Sequence, residues 1–153
     1  MRIVAQNVDE AYVRIDGKII SKIDKGYMIL VSFTNGDSEE ICEKMAQKLV
    51  NLRVFPDENG KTNLSIKDIC GSILSVSQFT LYADCHKGNR PSFVLNCLDP
   101  KDATKLYDYF NSCLTQLGIN VKTGIFGAEM KVGLINNGPF TTILDSKELF
   151  KWK

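Results

Sequence analysis

The distribution of apolar residues predicts an α+β fold in which helices pack on β-sheets. Three observations support this prediction. The first third of the chain alternates apolar and polar residues with a period of two, which is typical of strands. Two later segments repeat apolar residues every three or four positions, which is typical of amphipathic helices. Short strand-like runs lie before, between and after these two segments, so strands and helices are mixed along the chain.

A small antiparallel sheet is predicted at the N-terminus. Asp16-Gly17 is a hairpin signal between two strand-like runs, and the turn-forming run 24–26 introduces a further strand. Because these turns are short, consecutive strands are expected to pair with one another. The predicted strands are Arg2–Val8, Ala11–Asp16, Lys18–Ile23 and Tyr27–Phe33.

Two helices follow from capping signals. The first is predicted to begin at Asp37, because Glu40 lies three residues later, as in a capping box. The second has Asp99 as its cap, Pro100 in the first helical position and Gly118 as its end. Each helix carries one apolar stripe, which is expected to face the core.

The remaining elements are strands and loops. The apolar and β-branched run Ser72–Ala83 is predicted to be a long central strand, and a polar loop, Asp84–Pro91, follows it. The other predicted strands are Val54-Phe55, Ile119–Val121, Met130–Asn136 and Phe140–Leu144.

Length and composition indicate one ordinary globular domain over residues 1–153. The longest apolar run, Tyr27–Val31, is far shorter than the ~20 residues of a membrane helix. No signal-peptide core precedes the acidic residues Asp9 and Glu10, so we expect a cytoplasmic protein. The net charge of +1 argues against a strong sequence-independent nucleic-acid binder. It leaves room for a protein that grips only the end of a tRNA.

Common catalytic motifs do not occur in this sequence. It contains no HExxH, GxGxxG or GxSxG pattern, and its five cysteines form no CxxC pair. The single histidine, His86, lies in a polar loop and is expected to be a solvated surface residue. We therefore expect no metal, no cofactor and no histidine-driven nucleophilic catalysis.

Three polar stretches are candidates for a functional site. Ser77–Leu81 ends a buried-looking strand with polar side chains, although these could simply face solvent. Asn89–Phe93 could be an ordinary basic loop, and Asn136–Thr141 could be an ordinary hairpin turn. Each stretch alone is weak support for a function.

Together the stretches resemble the D-aminoacyl-tRNA deacylases, formerly called D-tyrosyl-tRNA deacylases, over essentially the whole chain. Ser77-Gln78-Phe79-Thr80-Leu81 matches one signature of that family, and Asn136–Thr141 is similar to the second, usually Asn-x-Gly-Pro-Val-Thr. Supporting matches are Met1–Gln6, Asn51–Phe55, Lys87–Phe93 and Phe126–Met130.

The resemblance implies two mixed β-sheets that form a partial barrel or sandwich with helices packed outside. It also implies a homodimer with an active site at each end of the interface. In this family a cis Gly-Pro motif, here Gly138-Pro139, is inserted into the active site of the partner subunit. The implied catalytic residues are Ser77, Gln78, Phe79 and Thr80. The implied residues for substrate binding and chiral selection are Gly138, Pro139, Met130 and Phe126.

The substrate of such an enzyme is an activated ester between an amino acid and the terminal adenosine of tRNA. Main-chain N–H groups near Phe79 and Thr80 could bind the developing oxyanion, each contributing about 3 kcal/mol. A ribose hydroxyl of the tRNA could help to activate water. Direct attack by the Thr80 hydroxyl is the less favoured alternative, because no base is visible beside it. The basic loop residues Lys87 and Arg90 are expected to contact the tRNA.

Chirality could be recognised by excluding the L side chain. Glycine permits close backbone approach, so crowded carbonyls at Gly138 would tolerate only hydrogen in one direction. The L-form would then clash, whereas glycine, which has no side chain, should be partly accepted.

Two departures from the family pattern leave alternatives open. Family members commonly have arginine at Asn7, where it is thought to brace the Gly-Pro motif, and aspartate and valine at Asn137 and Phe140. A deacylase with relaxed chirality is therefore one alternative. A non-catalytic module that binds the tRNA end is a second. A hydrolase of small acyl esters is a third, which the lack of a histidine triad disfavours.

Overall fold

The computed structural model describes residues 1–151. Within these residues there are eight β-strands, three α-helices and one 3-10 helix of four residues. The strands are β1 (Arg2–Ile15), β2 (Lys18–Ile23), β3 (Gly26–Ser32), β4 (Phe55–Pro56), β5 (Thr62–Leu64), β6 (Ser72–Ser77), β7 (Asn120–Thr123) and β8 (Lys131–Asp145). The helices are α1 (Glu39–Asn51), α2 (Pro100–Gln116), α3 (Ser146–Leu149) and the 3-10 turn Phe79–Tyr82.

The main sheet is mixed and strongly curved. Its strand order is β2-β1-β3-β6-β7, and β8 pairs with β1. The β3–β6 and β6–β7 pairs are parallel, and the others are antiparallel. Strand β2, at one end of this order, also contacts β6 and β7 at the other end. The sheet is therefore curled into a nearly closed barrel. The predicted α+β fold with a partial barrel is confirmed, although the second sheet contains only β4 and β5.

Strand β3 separates two apolar clusters. Tyr27, Ile29 and Val31 point toward α1 and α2 and belong to the larger cluster, whereas Met28 points into the barrel with Leu74. Alternate residues of a strand face opposite sides, so β3 is buried on both faces, as central strands are. None of the helices within residues 1–151 is long and apolar enough to cross a membrane.

Local signals placed the hairpin turn and the two predicted helices well, with one error, but the short helix α3 was not predicted. Asp16 and Gly17 have positive φ angles of 49° and 79°, as the predicted hairpin turn requires. Helix α1 does not use Asp37 as its cap. The Asp37 carboxylate instead accepts from the Thr34 N–H at 2.8 Å and the Met1 ammonium at 2.6 Å. Ser38 is the cap, and its hydroxyl accepts from the Ile41 N–H at 3.4 Å.

Strand boundaries were predicted less well. The chain from Arg2 to Ile15 is one strand of 14 residues, because β8 pairs along nearly all of it. The predicted strand Ser72–Ala83 is wrong beyond Ser77. Its neighbour β3 ends at Ser32, so the chain has no ladder partner there and turns into the 3-10 helix.

Candidate active site

The polar end of β6 leads directly into the 3-10 turn Phe79–Tyr82. The Gln78 N–H still donates to Val31 O at 2.8 Å, which extends the β3–β6 pairing by one residue. Beyond this point the chain turns, so Phe79 and Thr80 occupy the first two helical positions, and both are exposed. The first N–H groups of a helix have no acceptor within the helix. The turn therefore presents two adjacent main-chain donors at the surface.

Among the described residues, no side chain that could act as a general base contacts the Thr80 hydroxyl. The Thr80 hydroxyl accepts a hydrogen bond from the side-chain amide of Gln78. An amide does not take up a proton near neutral pH, so this contact orients the hydroxyl without activating it. The geometry favours main-chain donors over a threonine nucleophile.

An aromatic cavity of about 380 Å³ opens beside Phe79. The Phe79 and Phe93 rings meet edge to face, with their centroids 5.0 Å apart. The Cys97 thiol donates to Phe79 O at 3.5 Å, and burial raises its pKa, which keeps it uncharged. A cavity with apolar, aromatic walls suits a flat heteroaromatic ring. It is lined by Phe79, Phe93, Cys97, Leu98, Asp99, Pro100, Ala103, Phe126 and Gly127.

Phe126 and Met130 lie in different surroundings, although both come from one sequence motif. Phe126 lines the aromatic cavity and packs against Tyr107, with ring centroids 6.0 Å apart. Met130 packs against Gly124 and the apolar cluster inside the barrel. The structure thus brings Phe126 together with Phe79, whereas the substrate-binding role of Met130 stays a prediction.

The Gly-Pro motif forms a loop within β8. Asn136 pairs with Val8 and Thr141 with Gln6, so the four residues between them lie opposite Asn7 alone. The strand is continuous from Lys131 to Asp145, so the two separate strands predicted here are one strand, and the alternative of an ordinary hairpin turn is wrong. The Gly138-Pro139 peptide bond is cis, as the resemblance implied.

Asparagine side chains hold this loop. Asn136 Oδ1 accepts from the Phe140 N–H at 2.9 Å, and its Nδ2 donates to the Thr141 hydroxyl at 2.9 Å. Asn137 Nδ2 donates to Asp9 Oδ1 at 2.9 Å. The loop is therefore tied both to itself and to β1.

Asn7 does not reproduce the brace that an arginine would supply. It is 4% exposed, and its Nδ2 donates to Val54 O at 2.8 Å rather than to a loop residue. Its Oδ1 is buried and has no protein partner among the described residues, and Asn7 and Gly138 line one cavity of about 160 Å³. Asn136 and Asn137, rather than Asn7, hold the motif in this chain.

The two signature segments of one chain lie far apart. Ser77 pairs with Val31 of β3, and Val31 pairs with Ile3 of β1. Ile3 lies four residues before Asn7, the β1 residue that faces the Gly138 loop. Strand β8 lies three strands away from β6. Standard strand dimensions place the segments on the order of 15–20 Å apart. Phe79 and Gly138 accordingly line different cavities.

The loop after the 3-10 turn carries the predicted tRNA contacts. Asp84 and Ser92 pair through main-chain hydrogen bonds of 2.7 and 2.8 Å, which close the loop at its base. Lys87 and Arg90 are exposed between them. The His86 ring is 93% exposed and meets Asp84 Oδ1 through Nδ1 at 2.6 Å. Hydrogen bonds from the His86 main chain and ring lower the pKa of Asp84.

Phe93 and Arg2 lay within motifs that the sequence pointed to, but sequence reasoning assigned no individual role to either of them or to Cys97. Phe93 and Cys97 lie in an irregular loop without periodicity, and only the folded chain brings them to Phe79. Arg2 looked like an ordinary strand residue, yet its guanidinium donates to Leu81 O at 2.7 Å in the turn. No local pattern could have found these contacts.

This fold and site define a class: an α+β barrel protein with main-chain donors beside an aromatic cavity and a separate Gly-Pro loop. The chain belongs to the D-Tyr-tRNA(Tyr) deacylase family, whose model matches residues 4–145. It is 53% identical over 145 residues to a D-aminoacyl-tRNA deacylase of Lactobacillus delbrueckii subsp. bulgaricus, covering 95% of this chain and 99% of that protein. A D-aminoacyl-tRNA deacylase of Clostridium perfringens is 49% identical over 150 residues, covering 98% and 100%.

Solved structures share the fold. A structure described as c-Myc DNA Unwinding Element Binding Protein is 38% identical and has a TM-score of 0.88, covering 95% of this chain and 98% of its own. A probable eukaryotic D-amino acid tRNA deacylase has a TM-score of 0.81 at 18% identity, covering 94% and 97%. At that identity the second similarity supports the fold alone.

Proposed function

We propose that this protein is a D-aminoacyl-tRNA deacylase of the cytoplasm. It hydrolyses the ester bond of D-aminoacyl-tRNA and releases the free D-amino acid and the tRNA. The observation that carries the proposal is the 3-10 turn, which presents the Phe79 and Thr80 N–H groups beside an aromatic cavity in a chain of this family. Ser77 and Gln78 lead the chain into that turn.

In this proposal the aromatic cavity holds the terminal adenine of the tRNA. Phe79, Phe93 and Phe126 provide apolar surfaces for a flat base. With the base held there, the ester carbonyl lies at the turn, where two main-chain N–H groups stabilise the oxyanion that develops on hydrolysis. Such a donor contributes about 3 kcal/mol to the transition state. The neighbouring ribose hydroxyl assists the attacking water, while Gln78 orients the Thr80 hydroxyl.

The partner subunit of a homodimer supplies the chiral wall. The Gly-Pro loop of one chain is too distant to close its own site, since strand dimensions place it on the order of 15–20 Å from Ser77. Gly138 and Pro139 are both exposed, so the loop is accessible to a second subunit. Inserted there, its carbonyls leave room only for hydrogen on one side of the amino acid.

Strand β8 supports a homodimer. It is 15 residues long and pairs with β1 alone among the described strands, so its other edge is open. Ile135 and Ile143 on this strand are 52% and 67% exposed. Long open edges with exposed apolar residues are rare in monomers because they promote association.

Two further features belong to the proposal. Lys87 and Arg90 contact tRNA phosphates near the acceptor end, because the loop that carries them follows the turn directly. Glycyl-tRNA is partly accepted, since glycine offers no side chain for the wall to reject. Relaxed chirality is the alternative function that one observation favours, namely that Asn7 donates to Val54 O instead of bracing the loop.

The test is deacylation of matched D- and L-tyrosyl-tRNA in the presence and absence of EDTA. We expect faster release of the D-amino acid and no effect of the chelator. Loss of both esters at the rate of buffer alone would contradict hydrolase activity and favour a module that only binds the tRNA end. Rapid loss of both esters would instead establish relaxed chirality.

A further inference from the structure

Three neighbouring strands each place one residue beside the 3-10 turn Phe79–Tyr82. Arg2 of β1 pairs with Ser32 of β3 on one side and with Asp145 of β8 on the other. Directly opposed residues of neighbouring strands project to the same face of a sheet. These residues therefore form one line across the sheet, which we call the Ser32–Arg2–Asp145 row.

The row contacts both ends of the turn. The Ser32 hydroxyl donates to Phe79 O at 3.4 Å, at the first position of the turn. Arg2 Nη1 donates to Leu81 O at 2.7 Å, near its last position. Carbonyl groups at the end of a helix carry partial negative charge, so a guanidinium there is favourable.

Asp145 and Tyr82 fix the direction of the Arg2 side chain. Asp145 Oδ2 accepts from Arg2 Nε at 2.9 Å and lies 2.9 Å from Nη2. The guanidinium also lies over the Tyr82 ring, 4.6 Å from its centroid. Asp145 Oδ1 is itself held by the Lys147 N–H at 2.9 Å, at the start of α3. A fork-shaped, stacked guanidinium of this kind is not reproduced by lysine.

We propose that Arg2, oriented by Asp145, is a positioning residue for deacylation. It sets the tilt of the 3-10 turn and so determines where the Phe79 and Thr80 N–H groups point. The turn has four residues, so a shift at its Leu81 end is transmitted to its first residues. This inference rests on the proposed function of those donors. A misplacement of about 1 Å in an active site can lower the rate on the order of 10²-fold.

The first test compares Arg2→Met with Arg14→Met in deacylation of D-tyrosyl-tRNA. Arg14 is a matched control, because it lies on the same strand and also stacks on a tyrosine, Tyr12, at 5.4 Å. We expect Arg2→Met to lower kcat by about 10- to 100-fold with little change in KM. Arg14→Met should keep both values, and Arg2→Lys should recover part of kcat.

The second test measures amide hydrogen exchange, which does not depend on activity. Asp145→Asn is a mild variant, because asparagine still caps α3 but no longer presents a charge to Arg2. Exchange at Leu81 and Ala83 should become faster in Asp145→Asn and in Arg2→Lys. These two variants keep the test valid if Arg2→Met fails to fold.

The outcomes separate this inference from the proposed function. If the wild type releases the D-amino acid and folded Arg2→Lys and Asp145→Asn keep wild-type kcat and exchange, the positioning role of Arg2 is wrong. A rise in KM alone would also overturn it, since that result indicates lost binding. If the wild type releases no amino acid, the proposed function fails, while the exchange data still report whether Arg2 anchors the turn.

Discussion

Replacing Gly138 with alanine tests the chiral wall directly. The φ angle of Gly138 is +132°, a conformation that other residues adopt only with strain. A Cβ atom at this position would lie 3.0 Å from the main-chain nitrogen of Phe140 and 3.2 Å from its Cβ. A main-chain atom cannot rotate away as a side-chain tip can, so the loop itself must move.

The size of the effect follows from these contacts. The backbone conformation costs an alanine about 1–3 kcal/mol. Moving Phe140 also weakens its 2.9 Å hydrogen bond to Asn136 Oδ1, which adds about 1 kcal/mol. In the Gly138→Ala variant, the native conformation of the loop is thus destabilised by roughly 2–4 kcal/mol relative to a conformation in which the loop has moved. Since about 1.4 kcal/mol corresponds to a factor of ten, we expect the preference for D over L substrates to fall at least about tenfold.

The assay compares initial deacylation rates of D- and L-tyrosyl-tRNA for Gly138→Ala and for a control, Gly60→Ala. Gly60 also has a positive φ angle, +76°, but nothing lies within 4 Å of the position that a Cβ atom would take there. The control should lose about 1–2 kcal/mol of stability and keep its selectivity. A Gly138→Ala protein with the wild-type ratio of D to L rates would refute the proposed wall.

Three more predictions concern the turn, the loop and the dimer. Thr80→Ala should keep substantial activity, because the main-chain donors remain; complete loss together with a trapped acyl-enzyme in the wild type would restore the threonine nucleophile. The double variant Lys87→Gln/Arg90→Gln should bind tRNA more weakly and with a smaller dependence on log salt, by about 0.7 per lost contact on a single strand. An unchanged salt slope would indicate that tRNA is contacted elsewhere, at Lys122 or in the Lys151–Lys153 tail. Residues 152–153 of that tail lie outside the described residues. Ile143→Lys should shift the protein toward monomer in analytical ultracentrifugation and lower its activity, whereas Ile19→Lys, which replaces another exposed isoleucine (53% exposed) on β2, should change neither.

Local sequence signals determined the elements that depend on neighbouring residues. The Asp16-Gly17 turn needs positive φ angles, which glycine adopts freely. Helix α2 begins after Asp99 and has Pro100 in its first turn, as its capping residues predicted. The signature motifs indicated the family and the cis Gly138-Pro139 bond. The turn and the helix start could be predicted because each involves residues only a few positions apart, whereas the family and the cis bond followed from the resemblance of motifs spread along the chain.

Tertiary structure decided everything that depends on strand pairing. Ser72–Ala83 contains enough apolar and β-branched residues for one long strand, but its neighbour β3 ends at Ser32, so the turn replaces the strand. The loop in β8 likewise exists because Gln6 and Val8 keep their partners while four residues face Asn7.

The Ser32–Arg2–Asp145 row shows why the rest of the site could not be found in the sequence. Its members are brought together by two antiparallel pairings, β1 with β3 and β1 with β8, and the second of these joins opposite ends of the chain. The capping preference of Asp145 is visible locally, but its contact with Arg2 spans 143 residues. Composition and periodicity report which face of a strand is apolar. They carry no information on which distant residue lies opposite, because register is set by the whole sheet.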